Sequence, residues 1–233
     1  SFSWRETQKR AETIACYLQG AGISIGASVA IAAPNGAAAS FAFLGVVYGG
    51  YRATPLNLLA GIKTLAFVLN HSKAEVILCA NDCRALVEGA IATFIETGER
   101  APRIIPMDVD DGPRWAETGI IPVEPADLRV PSTDTIGLLM YTSGTTGVPK
   151  GVLLSHANLI AAGTNVAVAH ELTPADTSMC VLPIYHINGL CVTVMGSVVS
   201  SSGLVMPRRF SARHFWAQMH KYKCSWFSAV PTL

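Results

Sequence analysis

Charge is what this sequence has least of: Asp, Glu, Lys and Arg make up 14% of its 233 residues, and aromatic side chains only 8%. With a net charge of +1 and no basic cluster beyond Arg208-Arg209, the chain has no electrostatic footprint for a polyanion, and nucleic-acid binding is not expected. No apolar run reaches the ~20 residues that a spanning helix needs. The most membrane-like stretches, 37–50 and 190–206, are broken by Gly and Ser. No secretory signal is visible; one lying ahead of Ser1 would be out of view. The six cysteines, Cys16, Cys79, Cys83, Cys180, Cys191 and Cys224, lack the density and spacing of a disulfide framework and read as reduced core residues. Cys79 and Cys83 have no second pair to complete a zinc site, so no metal site is expected, and the expected compartment is cytoplasmic.

Half of the residues are apolar, which is ample for a core. Little charge and a positive mean hydropathy leave the chain short of solvent-facing surface. The expectation is a truncated piece of a larger protein whose remainder covers some of that apolar area. The ends agree with it, since the sequence starts without Met and stops at Pro231-Thr232-Leu233 after an apolar run.

Along the chain, apolar spacing alternates between helical and extended. Arg5 to Leu18 places Ala11, Ile14, Ala15 and Leu18 on one helical face, and Gly20 and Gly22 close it. The Gly20-to-Gly26 run is not a dinucleotide fingerprint, because its glycines end a helix instead of linking a strand to one, and the third comes one place late. Strands are predicted at 28–33, 52–56, 75–79, 103–107 and 136–140, with helices at 37–48, 62–70 and 81–95 between them; Pro34-Asn35-Gly36 is a turn. That alternation predicts an α/β fold of mostly parallel sheets flanked by helices. Residues 108–134, rich in Pro, Gly and acidic side chains, read as a long surface connection. Beyond it come a strand at 151–154, a helix from Ser155 to about His170, a strand at 179–182, a helix capped by Ser211 and a last strand at 225–230.

The segment Tyr141-Thr142-Ser143-Gly144-Thr145-Thr146-Gly147-Val148-Pro149-Lys150-Gly151 packs hydroxyls, glycines and one lysine between two apolar runs. Gly144 and Gly147 let backbone N–H groups approach a polyanion; Thr142, Ser143, Thr145 and Thr146 add hydroxyl donors, and Lys150 adds a compact positive charge. Such a loop suits a triphosphate. It is not a Walker loop, whose lysine follows its last glycine directly and precedes Ser or Thr; here Val148 and Pro149 intervene and Gly151 follows.

From Tyr141 to Gly151 the segment resembles the phosphate-binding signature of the adenylate-forming (AMP-binding) superfamily: acyl-CoA synthetases, luciferases and the amino-acid-activating domains of peptide synthetases. The resemblance implies a luciferase-like, acyl-CoA synthetase-like N-terminal domain. It implies a first α/β subdomain over 1–170, whose early helix can also pack with the second, and the incomplete start of a second over 171–233. Leu182-Pro183-Ile184-Tyr185-His186-Ile187-Asn188-Gly189-Leu190 resembles the family's second segment, in which an aromatic or His position borders the acyl pocket, making His186 the candidate. Amino-acid-activating members usually carry an aspartate just after an aromatic there; Ile187, Asn188 and Gly189 offer none, which favours the acyl-CoA synthetase branch. Taken alone, His186 also fits a hydrogen-bonded, partly buried histidine without a ligand.

What the resemblance implies is a ligase of the fatty-acid-metabolism kind. It would use ATP, Mg²⁺ and coenzyme A to adenylate a small carboxylic acid and pass the acyl group to the thiol. Thr142, Ser143, Gly144, Thr145, Thr146, Gly147 and Lys150 would hold the nucleotide, with Lys150 and His186 nearest the chemistry. Another adenylating enzyme and a non-catalytic nucleotide-binding module stay open. The family's adenine, ribose and C-terminal lysine motifs normally follow the point where this chain stops, so the isolated chain is expected to be inactive. His71, His156, His170, His214 and His220 are assigned to surfaces or helix ends. The oligomeric state is open.

Overall fold

The computed structural model of the chain describes residues 1–95, 98–142 and 148–231. By contact the chain divides into two compact units. One comprises Ser1–Ala33 with Ala37–His156, the other Pro34–Gly36 with Ala157–Leu233. The expected division lay at 170/171.

The first unit is built on a seven-stranded sheet in the order β5-β4-β3-β1-β2-β6-β7. Its central strand, β1 (Ser28–Ala32), is wholly buried and pairs in parallel with β2 (Arg52–Pro55) on one side and β3 (Ala74–Ala80) on the other. β4 (Arg103–Asp108) and β6 (Ile136–Thr142) extend the parallel order, while β5 (Gly112–Pro113) and β7 (Lys150–Ser155) run antiparallel at the two edges. Near-continuous apolar strands such as Val76 to Ala80 are what a sheet covered on both faces requires. The chain steps one way from β1 to β2 through α2 (Ala37–Tyr48). It then steps the other way to β3 and β4 through α3 (Ile62–His71) and α4 (Arg84–Ile95). Right-handed crossovers therefore put α2 on one face and the packed pair α3 and α4 on the other.

The first helix, α1 (Trp4–Gly20), opens with a capping box in which the Ser3 hydroxyl accepts from the Glu6 N–H and the Glu6 carboxylate accepts from the Ser3 N–H. It packs on α2. The surface connection expected over 108–134 is tied to the rest of its unit. It supplies β5, and Trp115, buried, stacks on Tyr17 of α1 with ring centroids 4.6 Å apart. Gln19 donates to the Asp127 carbonyl at 2.9 Å and accepts from the Arg129 N–H at 3.3 Å, while the Val123 N–H reaches the Cys16 carbonyl at 3.2 Å. Only single-residue anchors do this work, which is why no periodicity announced it. At Gly20 a Cβ would overlap the Ile121 carbonyl oxygen and lie 3.1 Å from the Pro122 Cα. Gly20→Ala should therefore destabilise the protein by about 1–3 kcal/mol, read from chemical denaturation; an unchanged midpoint and slope would show the strap to be loosely held.

The second unit has a three-stranded parallel sheet, β10-β8-β9, from β8 (Thr177–Met179), β9 (Gly203–Val205) and β10 (Trp226–Phe227). Helix α5 (His156–Ala169) leads into it, and α7 (Ala212–Lys221) packs Phe215 and Met219 against Met179, Val181 and Leu182. Between β8 and β9 the apolar stretch forms a π-helical run, Asn188–Met195, continued by α6 (Gly196–Ser200). The predicted strand at 179–182 is displaced to Thr177–Met179. Beyond it the Cys180 N–H still reaches the Val205 carbonyl at 2.8 Å, but Pro183 has no N–H and the Leu182 carbonyl goes to a side chain. β9 went unforeseen inside the long apolar 190–206 run. Ser211 occupies the N-cap of α7 as expected, yet its hydroxyl meets His214 Nδ1 at 3.0 Å and makes no bond to the helix N–H groups. Among the described residues no helix is long and apolar enough to cross a membrane.

Candidate functional site

Two segments carry the residues singled out by sequence, one in each unit. In the first unit β6 and β7 form an antiparallel pair in which Met140 faces Val152, Tyr141 faces Gly151, and Thr142 faces Lys150. Among the described residues this is the last pair of the ladder, and it sets Thr142 and Lys150 directly opposite one another, both exposed. Because β6 is parallel to β2 and β2 to β1, the exit at Thr142 lies on the carboxyl edge of the parallel strands, where α/β sheets place their ligands. Ser143, Gly144, Thr145, Thr146 and Gly147 lie outside the described residues.

Side chains alternate along a strand, so Tyr141 points away from the face that Thr142 presents. Its hydroxyl meets His71 Nδ1 at 2.8 Å, and His71, at the end of α3, stacks on Phe67. Burial pushes the Tyr141 phenol up to about 12, so it is protonated at neutral pH and can donate to the imidazole. Nearby charge comes from Arg52, whose Nη2 donates to the Ser72 carbonyl at 3.0 Å. The strand that delivers Thr142 is thus pinned from α3 by a contact that the expected helix-end placement of His71 did not foresee. Within unit 1 the His156 imidazole is held below its usual value by desolvation, and its buried Nε2 has no hydrogen-bond partner among the described residues.

In the second unit His186 sits in the turn between Leu182 and the π-helical run. Its N–H donates to the Pro183 carbonyl at 3.0 Å and its carbonyl accepts from the Leu190 N–H at 3.1 Å. The ring lies 4.7 Å from that of Tyr185, the residue is exposed, and partial desolvation holds its imidazole below the usual range, so it is neutral at pH 7. Gly189 closes the turn: a Cβ there would lie 2.6 Å from the Leu182 carbonyl oxygen and crowd that of Pro183. Cys180 points its thiol at the Leu182 and Gly189 carbonyls, at 3.3 and 3.5 Å, and burial pushes that thiol up to about 12. The same turn is gripped by Asn35, a residue the sequence marked only as part of a turn. No spacing signal could have found it, since it lies 147 residues from its nearer partner.

The AMP-binding enzyme family model matches residues 1–233. The chain belongs to the AMP-binding enzyme family. Among curated AMP-binding enzymes it is similar to a sulfoacetate–CoA ligase of Cupriavidus necator, 39% identical over 216 residues that cover 91% of the chain and 41% of the relative. It is also similar to an oxalate–CoA ligase of Arabidopsis thaliana, 31% identical over 215 residues, with the same coverage of 91% and 41%. Among solved structures, ATP-bound MatB from Rhodopseudomonas palustris shares the fold, with a TM-score of 0.83 at 24% identity over 98% of this chain and 44% of that one. The chain spans about two fifths of the length of the curated relatives it matches and corresponds to the N-terminal portion of these CoA ligase homologues. The expected α/β architecture of mostly parallel sheets matches the N-terminal domains of acyl-CoA synthetases.

Proposed function

We propose that the protein carrying this chain is an AMP-forming acid–CoA ligase acting on a small carboxylic acid that bears a second acidic group. The observation that supports it most is the pair Thr142 and Lys150, two members of the adenylate-forming signature that face each other at the carboxyl edge of a parallel sheet. A carboxylic acid, which in water gives up its proton near pH ~4, is already ionised at pH 7. Its carboxylate attacks the α-phosphorus of ATP; the bond from that phosphorus to the bridging oxygen breaks and pyrophosphate leaves. The coenzyme A thiol then attacks the acyl carbon, AMP departs and the thiol proton goes to solvent.

Neither step demands a strong base, so the work of the chain's residues is electrostatic. The Lys150 ammonium offsets triphosphate charge, and the Thr142 hydroxyl donates to a phosphate oxygen. Mg²⁺ would offset the charge of the departing pyrophosphate. A hydroxyl and an ammonium suit an anion better than a bare cation. Such a metal would therefore be held chiefly by the triphosphate's own oxygens, with Thr142 as the described protein oxygen fit to join them. Ser143, Gly144, Thr145, Thr146 and Gly147 complete this nucleotide site in the proposal, and His186, neutral and exposed, lends an N–H to the acid.

The relatives' names support the substrate class, since sulfoacetate and oxalate are both small and doubly acidic. They point away from the fatty acids that the synthetase resemblance first suggested. The test is release of AMP and pyrophosphate by the full-length protein with sulfoacetate, oxalate, acetate and a long-chain fatty acid, with and without coenzyme A. Acyl-CoA formation with the doubly acidic substrates is the expected result. AMP release indifferent to coenzyme A would indicate another kind of adenylating enzyme, and ATP binding without any AMP would indicate a nucleotide-binding module. The chain by itself should form no adenylate.

A further inference from the structure

Asn35 is the least expected contributor to the His186 turn. Its side-chain amide donates from Nδ2 to the Leu182 carbonyl at 2.9 Å and accepts at Oδ1 from the Ile184 N–H at 3.1 Å. The orientation of the amide is unambiguous, because a carbonyl needs an N–H and an N–H needs an oxygen. One donor and one acceptor, side by side, are what a neighbouring strand would offer these two residues. Pro183 between them has no N–H, and the sheet has already ended at Met179. The Asn35 amide therefore stands in for the missing strand. From that clamped segment the path to the imidazole is short, since the Pro183 carbonyl takes the His186 N–H at 3.0 Å. Gly189 and the Cys180 thiol crowd the same Leu182 carbonyl from other directions, so the turn has little room to settle elsewhere.

We propose that Asn35 is a positioning residue for the acid substrate, setting the place of Tyr185 and His186 without touching the nucleotide; this rests on the functional reading above. In the full-length protein, Asn35→Ala should raise the KM for the acid about tenfold or more and lower the melting temperature, with the KM for ATP little changed. Asn35→Asp keeps the acceptor for Ile184 but turns a carboxylate oxygen toward the Leu182 carbonyl. It should give a smaller rise at pH 7 that shrinks as the pH falls and the carboxyl takes up a proton, restoring a donor. That recovery is something a merely structural loss would not show. Should Asn35→Ala fail to fold, the Asp variant alone decides. Equal rises in the two KM values, or an acid KM that stays put, would overturn the proposal while leaving the ligase reading intact. No turnover by the unsubstituted protein with any acid would overturn both.

Discussion

Lys150→Ala in the full-length protein should lower kcat/KM for adenylate formation by roughly 10²–10³ while leaving its thermal unfolding unchanged. The separation follows from where the side chain stands. Lys150 is exposed and opens β7, and the pairing with Thr142 across the hairpin is made by backbone groups that alanine retains. Its charge, by contrast, has no substitute among the hydroxyls of the signature. Lys150→Arg keeps a cation but spreads it over a planar fork, so it should recover part of the loss and not all of it. The measurement is pyrophosphate release under saturating acid as ATP is varied. Activity of the alanine variant within about twofold of the parent would remove Lys150 from the mechanism, since a phosphate contact is expected to contribute far more.

Gly189→Ala is expected to act through shape. The added methyl would meet the Leu182 carbonyl oxygen at 2.6 Å, and backbone on that side cannot rotate away as a flexible side chain could. The turn must shift at a cost of about 1–3 kcal/mol, and because Asn35 holds that same carbonyl, the two sites are coupled. Gly189→Ala combined with Asn35→Ala should therefore destabilise by less than the sum of the two alone, as expected for residues that share a partner. Chemical denaturation of the four proteins in the cycle measures this, with acid KM as a second readout. Strict additivity would show that the methyl is accommodated from the π-helical side instead.

What was legible beforehand follows a physical line. Continuous apolar runs such as Val76 to Ala80 and amphipathic spacing such as Ile14 and Leu18 announce elements whose burial is local and repeated, and these stand close to where they were expected. Tyr141 to Gly151 announces chemistry because the donors lie side by side in sequence. Gln19, His71 and Asn35 announce nothing: each does its work through one or two hydrogen bonds to distant residues. β9 was hidden for a different reason, since three paired residues inside a long apolar stretch leave no period to count.

The strap along α1 has a consequence for how the chain acquires its structure. Arg10 bonds the Asp111 carbonyl across 101 residues, and Gln19 is joined to Asp127 and Arg129 across 108 and 110. Closing loops of that length carries an entropic toll that must be met before the contacts reward it. As the ribosome delivers the chain from its N-terminus, the outer surface of the first helix waits through the synthesis of five strands for its cover. The Tyr17 ring is left open until Trp115 arrives. In the finished protein the order is expected to run in reverse: 115–129 is the segment whose amides should exchange first, uncovering the helix before the sheet gives way.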